Sequence, residues 1–475
     1  MRDRYVEDQC MNDYKYLIKN IGILTISNFA TKFLSFFLLP LYTGILSTEE
    51  YGTFDLYSTT VALLFPILSF CISDSAIRYL LERDSDKESI ISISAKYVII
   101  SVGLFLCLLV VNLVTNVIPE LNTYKVLFIL VYIATALNVW LSSVARGLEK
   151  IKTISLASVI SSIGTILLNI IFLVWMKLGI TGYFGATFLG ISMANLYYAY
   201  AINIFKLVHK KNKDFKLEKE MYKYGTGLMV NSISWWVNNS LDKYMVLYMC
   251  GIAANGLISV AYKLPTVLSM IQNLFEQAWV LSAVKKYNKE DADGFFVRTY
   301  NLYGVVMAVA ASIIIMFAKI LSAFLLKNDF YEAWSMIPFF SIAVVFSSAA
   351  GFCGGIFSAQ KRTDVISKTT FIGAIVNALL NAILIYFFGV IGGAIATMIS
   401  NAIVMSFRLF CVKQQMHFRL RIVRDALVYI ALLLQTFTLM LCDSKVQYGF
   451  QLMLFAFIIL LYKKEVLVVL NKIGG

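Results

Sequence analysis

Lys206-Leu207-Val208-His209-Lys210-Lys211-Asn212-Lys213-Asp214-Phe215-Lys216-Leu217-Glu218-Lys219-Glu220-Met221-Tyr222-Lys223 is a short basic stretch with apolar sequence on both sides. Only Asp214, Glu218 and Glu220 oppose its cations. The two sides resemble each other, which makes this segment the joint between two copies of one unit. Leu167-Leu168-Asn169 before the joint returns as Leu379-Leu380-Asn381 after it. The turn Leu148-Glu149-Lys150 returns, at the same spacing from that motif, as Gln360-Lys361-Arg362. Gly185-Ala186 followed by Ile191-Ser192 matches Gly393-Ala394 followed by Ile399-Ser400. Gly52 and Gly256 hold corresponding points at the start of the second span of each copy. A repeat of this size is a mark of transporter folds.

The apolar sequence itself sets the class. The chain has 475 residues, 59% hydrophobic and 15% charged, with a mean hydropathy of +0.76. A water-facing surface needs roughly 25% charged residues. The apolar residues come in blocks of about 20, long enough to cross a hydrocarbon core as helices. The short alternating segments of a membrane β-barrel do not occur. The expected fold is an all-α integral membrane protein of about 14 spans. They run over 17–43, 51–72, 91–115, 124–145, 153–176, 181–205, 222–249, 253–282, 296–318, 335–359, 365–388, 391–411, 424–442 and 446–462. This gives an N-terminal six-helix lobe (17–205), the basic linker (206–223), a C-terminal six-helix lobe (224–411) and two added helices (424–462). An even number of spans per unit makes both copies cross in the same direction, so an axis along the membrane normal and a cavity between the bundles are expected.

The net charge of +13 is a topology signal. With the N-terminus inside, about 31 of the 41 Lys and Arg fall on the cytoplasmic side, as the positive-inside rule requires. This reading excludes a nucleic-acid partner and places both termini in the cytoplasm. The apolar run after the charged N-terminus is too long for a signal peptide, so the first span is expected to be retained. Seven scattered cysteines and two histidines in no metal-binding spacing argue against a metal, a haem or a disulfide framework, and no cofactor is expected.

Charges inside spans carry the functional reading, because each costs about 2.5–3.5 kcal/mol at the bilayer centre unless it meets water or a partner. Lys32 lies mid-way along the first span, Asp242 and Lys243 in the seventh, and Lys263 in the eighth. Spans 1, 2, 7 and 8 are paired by the repeat, so these groups are expected to line one cavity and to receive a large anionic ligand. Arg78 with Asp74 and Glu82 forms a ladder four residues apart on one face of a continuing helix, serving either as an ion-pair ladder or as a headgroup site. Asp74 and Glu276 are the candidate ion-coupling carboxylates. Pro66 inside span 2 is expected to kink it. Asn238, Asn239, Trp235 and Trp236 suit either sugar binding or interhelical hydrogen bonding.

Gly44 through Tyr57, Ser73-Asp74-Ser75-Ala76-Ile77-Arg78-Tyr79, and Leu241-Asp242-Lys243-Tyr244 followed by Gly251 and Gly256 resemble the oligosaccharide flippase family. This is the Wzx-like polysaccharide-transport branch of the multidrug/oligosaccharidyl-lipid/polysaccharide exporter (MOP) superfamily. The resemblance implies a MATE-like two-lobed bundle that moves a polyprenyl-pyrophosphate-linked oligosaccharide to the outer leaflet of the cytoplasmic membrane. The implied pathways are those of O-antigen, capsule or exopolysaccharide. The implied motion is alternating access around a cationic cavity. Arg78 matches the family's basic residue ending span 2, Asp242 and Lys243 its acidic–basic pair, and Lys263 its basic residue after Ala-Tyr in span 8. Lys32 is inferred from burial alone. Membrane lipids, glycosyltransferases and a polysaccharide polymerase are the implied partners.

Three rivals remain. A multidrug exporter of the same fold would favour acidic groups in its cavity, whereas span 1 carries a lysine and no acid. A peptidoglycan-precursor flippase is chemically close and not separable by these motifs. A membrane polymerase or ligase would need a long outer loop with catalytic residues, and no HExxH or GxSxG site is present.

Overall fold

The computed structural model describes residues 36–82, 85–208, 214–287, 291, 294–416, 420–441 and 444–465. Among them there are helices and turns and no strand. The principal helices are α1 (Leu39–Ile45), α2 (Thr48–Leu68), α3 (Ile72–Leu80), α4 (Lys87–Thr115), α5 (Lys125–Gly147), α6 (Ile151–Asn169), α7 (Gly179–Ile202) and α8 (Phe215–Cys250). There follow α9 (Ile252–Ala261), α10 (Pro265–Lys286), α11 (Phe295–Leu325), α12 (Ile337–Ala359), α13 (Thr363–Phe388), α14 (Val390–Gln415), α15 (Ile422–Leu441) and α16 (Ser444–Leu461). Every expected span from the second onward coincides with one of these helices or with a broken pair.

Eight of the described helices are long and apolar enough to cross a membrane, and the bent pair α2–α3 adds a ninth. The chain is thus an all-α multi-pass membrane protein. α8 is not among those helices: even its charge-free stretch from Tyr224 to Leu241 is made polar by Asn231, Asn238 and Asn239 and by its serines. α9–α10 is a span interrupted at Tyr262–Leu264.

The second span does not continue as one helix. α2 ends at Leu68, two residues past Pro66, and α3 sets off at 60° to it. Proline removes an N–H and crowds the preceding turn. Here Phe70 and Cys71 take left-handed backbone angles (φ 55° and 49°), and Cys71 N–H closes back on Pro66 C=O at 2.8 Å. Asp74 and Arg78 therefore belong to a separate short helix, and Glu82 lies two residues past its end. The eighth span also breaks, but with no left-handed residue at the break, and Pro265 is the first residue of α10. There its fixed φ and missing N–H cost nothing.

The chain forms two compact units, Met1–Leu46 with Thr53–Trp236 and Ser47–Gly52 with Val237–Gly475. In the first, α3 packs on α5, α5 on α7 and α6 on α7, around the fully buried Tyr57, Phe105, Phe128, Tyr132 and Phe184. In the second, α10 packs on α12, α12 on α14 and α13 on α14, which is the same scheme one repeat later. The most apolar stretch of α12 is 78% buried, against 22% for α13, so α12 is the core helix of its unit.

The repeat extends to single turns. Glu149 and Lys361 both have positive φ (56° and 59°). Lys150 N–H bonds Ala145 C=O at 2.9 Å, and Arg362 N–H bonds Phe357 C=O at 2.8 Å. Asn169 and Asn381 are both fully buried. Gly52 and Gly256 lie against one another's helices, a Cβ on Gly256 meeting the carbonyl of Thr48 and one on Gly52 meeting the carbonyl of Ile252. α15 and α16 stand outside the repeat and pack on α11.

Candidate functional site

Near its C-terminal end, α8 places an acid and a base side by side, Asp242 and Lys243. Asp242 is buried, 4% exposed, and its carboxylate accepts a hydrogen bond from the Tyr262 hydroxyl at the break between α9 and α10. Lys243 Nζ lies 5.9 Å from the centre of the same Tyr262 ring, within reach of its negative face. The ring is held by stacking on Phe340 of α12, centroids 3.9 Å apart. Thr397 of α14 lies beside the same Tyr262 hydroxyl.

From Thr397 the polar chain continues into α13. Asn377 Nδ2 donates to Thr397 Oγ1 at 3.4 Å, and Asn381 Nδ2 donates to Asn377 Oδ1 at 2.9 Å. Neighbouring α8, α12, α13 and α14 thus surround one tyrosine at a helix break. Buried polar groups are usually hydrogen-bonded; this chain meets that requirement in part, since Asn381 Oδ1 at its end is buried with no hydrogen-bond partner among the described residues. Among the described residues no group of three or more His, Cys, Asp and Glu could hold a metal ion.

The other candidates fall elsewhere. Lys32 lies outside the described residues. Lys263, next to Tyr262 in sequence, is exposed. Arg78 pairs with Glu82 at 2.9 Å, both side chains about half exposed (55% and 49%), which matches the ion-pair ladder in part. Asp74 does not join that pair; its electrostatic neighbour is Arg146. Trp236 donates to Thr59 C=O at 3.0 Å and is a buried core residue of the first unit. The side chains of Trp235, Asn238 and Asn239 lie outside the description.

Glu276 forms a separate polar group on α10. Its carboxylate accepts from Gln272 Nε2 at 2.9 Å, and Gln272 also donates to Ser347 of α12 at 3.1 Å. The charged residue that sequence reasoning missed is Arg408. Near the end of its span it reads as one more positive-inside cation, yet it is only 9% exposed and bonds to α12 and α13. Its acceptors come from residues tens of positions away. The sequence signal that could have marked it is the Thr369-Thr370 pair on the neighbouring helix.

The sequence pattern of the family described as polysaccharide biosynthesis protein matches residues 17–281, more than half of the chain. That of lipid II flippase MurJ matches residues 325–461. No curated protein matches the sequence significantly. Among solved structures, an inward-facing multidrug resistance MATE family transporter of the MOP superfamily superposes with a TM-score of 0.68 at 12% identity, over 82% of this chain and 98% of that one. Lipid II flippase MurJ in an inward closed conformation gives 0.64 at 16% identity, over 95% and 100%. A MOP superfamily transporter from Pyrococcus furiosus, described as having a binding pocket of reversed polarity, gives 0.55 at 13% identity, over 83% and 92%. At these identities the likeness is one of fold.

Proposed function

The chain belongs to the polysaccharide biosynthesis protein family, within the MOP superfamily of flippases and transporters, and on that premise we propose that it flips a polyprenyl-pyrophosphate-linked oligosaccharide. The substrate passes from the cytoplasmic to the outer leaflet by alternating access, for assembly of a cell-surface polysaccharide. The observation that carries the reading is the Asp242–Tyr262–Lys243 arrangement. A lysine in a membrane helix, held against an aromatic face beside a buried carboxylate, offers a fixed positive charge where a pyrophosphate needs one. The tyrosine and asparagine groups beyond it suit hydroxyl-rich sugars. Glycosyltransferases and a polymerase would act on either side of such a step.

A peptidoglycan-precursor flippase is the second reading, favoured by the match of residues 325–461 to the MurJ pattern. Binding separates the readings. The purified protein would be titrated with an undecaprenyl-pyrophosphate oligosaccharide, with lipid II, and with a cationic dye. The proposal expects the oligosaccharide lipid to bind at least about tenfold more tightly than the dye, and to lose that advantage in Lys243→Ala, since a charged contact contributes about 1.5–3 kcal/mol. Preference for lipid II moves the protein to the second reading, and preference for the dye overturns both.

A further inference from the structure

α11 meets the added helices through a charged contact near each of its ends. Near its start, Asn301 accepts from Arg424 of α15 at 2.7 Å. About 27 Å further along the helix, close to the thickness of a hydrocarbon core, stands Lys319. The two cations differ in their company. Arg424 is paired with Asp425 and Glu465, whereas Lys319 has no carboxylate partner among the described residues. Its Nζ donates to Gln447 Oε1 of α16 at 3.1 Å and lies 4.6 Å from the centre of the Trp334 ring. Trp334 belongs to the 3-10 helix Asn328–Ser335, whose own carboxylates, Asp329 and Glu332, are exposed.

An ammonium only donates, so the amide oxygen of Gln447 faces it and the amide nitrogen is left over. Gln447 is 1% exposed, and its Nε2 has no acceptor among the described residues. One turn past Lys319, on the same face of α11, Ser322 is fully buried and its hydroxyl has no partner there either. A serine in a helix commonly bonds a carbonyl of the preceding turn; this one does not. Gln451 Oε1, a turn deeper in α16, also lacks a partner, while Gln451 Nε2 donates to Gln435 C=O at 2.6 Å and Thr438 Oγ1 at 2.9 Å. Around Lys319 itself the unmet groups are donors. Gln447 also stands in the first turn of α16, the end at which a helix carries positive partial charge. A lysine that merely snorkels ends in water. Lys319 instead rests on a buried amide whose second donor is unused.

We propose that Lys319, Gln447 and Ser322 form a binding site for a phosphate group, carried on the headgroup of an anionic lipid or as the free ion. The Lys319 ammonium supplies the charge, and Gln447 Nε2 and Ser322 Oγ supply two further donors for phosphate oxygens. The Trp334 ring holds the ammonium in place, at the boundary where tryptophan is enriched in membrane proteins. The site does not depend on the flippase reading, and its test uses no transport substrate.

Binding to the full-length protein in detergent is measured by calorimetry with three probes: short-chain phosphatidylglycerol, phosphatidylcholine of the same chains, and inorganic phosphate. The expected result is that phosphatidylglycerol binds at least about tenfold more tightly than phosphatidylcholine, the size of one charged hydrogen bond. That advantage should vanish in Lys319→Ala, persist in Lys319→Arg and shrink in Gln447→Leu. Displacement of the lipid by inorganic phosphate, or Lys319-dependent binding of phosphate alone, assigns the site to the free ion. Lipid binding that phosphate does not displace assigns it to the headgroup. Wild type that neither prefers phosphatidylglycerol nor binds phosphate overturns the site, as does binding unchanged in both Lys319→Ala and Gln447→Leu. Thermal unfolding separates a purely structural role: a lowered midpoint in these variants with the lipid preference intact means that Lys319 only fastens α16 to α11, and overturns the proposal. If Lys319→Ala does not fold, Gln447→Leu decides.

Discussion

A methyl group on Gly256 would meet the carbonyl of Thr48, and one on Gly52 the carbonyl of Ile252. Backbone cannot swing aside as a side chain does, so Gly256→Val forces the helices apart. The expected cost is about 1–3 kcal/mol, the usual range for overpacking. Thermal unfolding in detergent should show it as a clear drop in midpoint, and an unchanged midpoint would mean that the helices do not meet there. These glycines were legible from the repeat alone, because corresponding points in two copies pointed to them. Asp242 and Lys243 were legible for another reason: charges in an apolar span are conspicuous. Tyr262 and Arg408 were not. A tyrosine in a membrane helix is unremarked until its hydroxyl is seen on Asp242, and an arginine near a span end looks solvated until its four acceptors are found.

Helix existence was readable throughout, since length and apolarity decide it, but the character of each helix end was not. Pro66 announced a kink, whereas the left-handed pair Phe70-Cys71 that turns it into a break has no marker such as glycine. The added helices conceal more. Arg424 reads as a positive-inside cation at the start of α15, yet its side chain is 8% exposed. It pairs with Asp425 at 2.7 Å and Glu465 at 2.9 Å, and donates to Asn301 of α11 at 2.7 Å. Further along, Ser312 of α11 donates to Gln435 of α15 at 2.7 Å. α15 and α16 are therefore docked by polar groups, a means of association suited to lipid, where apolar contact gives helices little preference for one another. Arg424→Ala leaves the buried Asp425 without its cation, while Glu465 keeps Arg421 at 3.0 Å, and should cost about 3–5 kcal/mol. Limited proteolysis between α14 and α15 should speed up in that variant. Cleavage at the wild-type rate would show that the network does not hold the added helices.

At the scale of the whole molecule, the two repeats build the same packing scheme and the same left-handed turn after their fourth spans. The likeness that short sequence motifs announced is carried by backbone geometry. Function at this scale was legible as a class, because a doubled, apolar, loop-poor chain leaves transport as its chemistry. The glycan was not legible, since a cation beside an aromatic ring recognises phosphate without naming the sugar attached to it. Leaflet transfer in proteoliposomes tests the central claim most directly. A polyprenyl-pyrophosphate oligosaccharide is loaded on one side, and an impermeant glycan-cleaving enzyme is added on the other. The account predicts transfer by the wild type that slows at least about tenfold in Lys243→Ala and in Lys32→Ala, the loss expected for a charged contact to pyrophosphate. Transfer at the wild-type rate in both variants would contradict the cationic site, and cation-coupled dye efflux in place of glycan transfer would contradict the flippase itself.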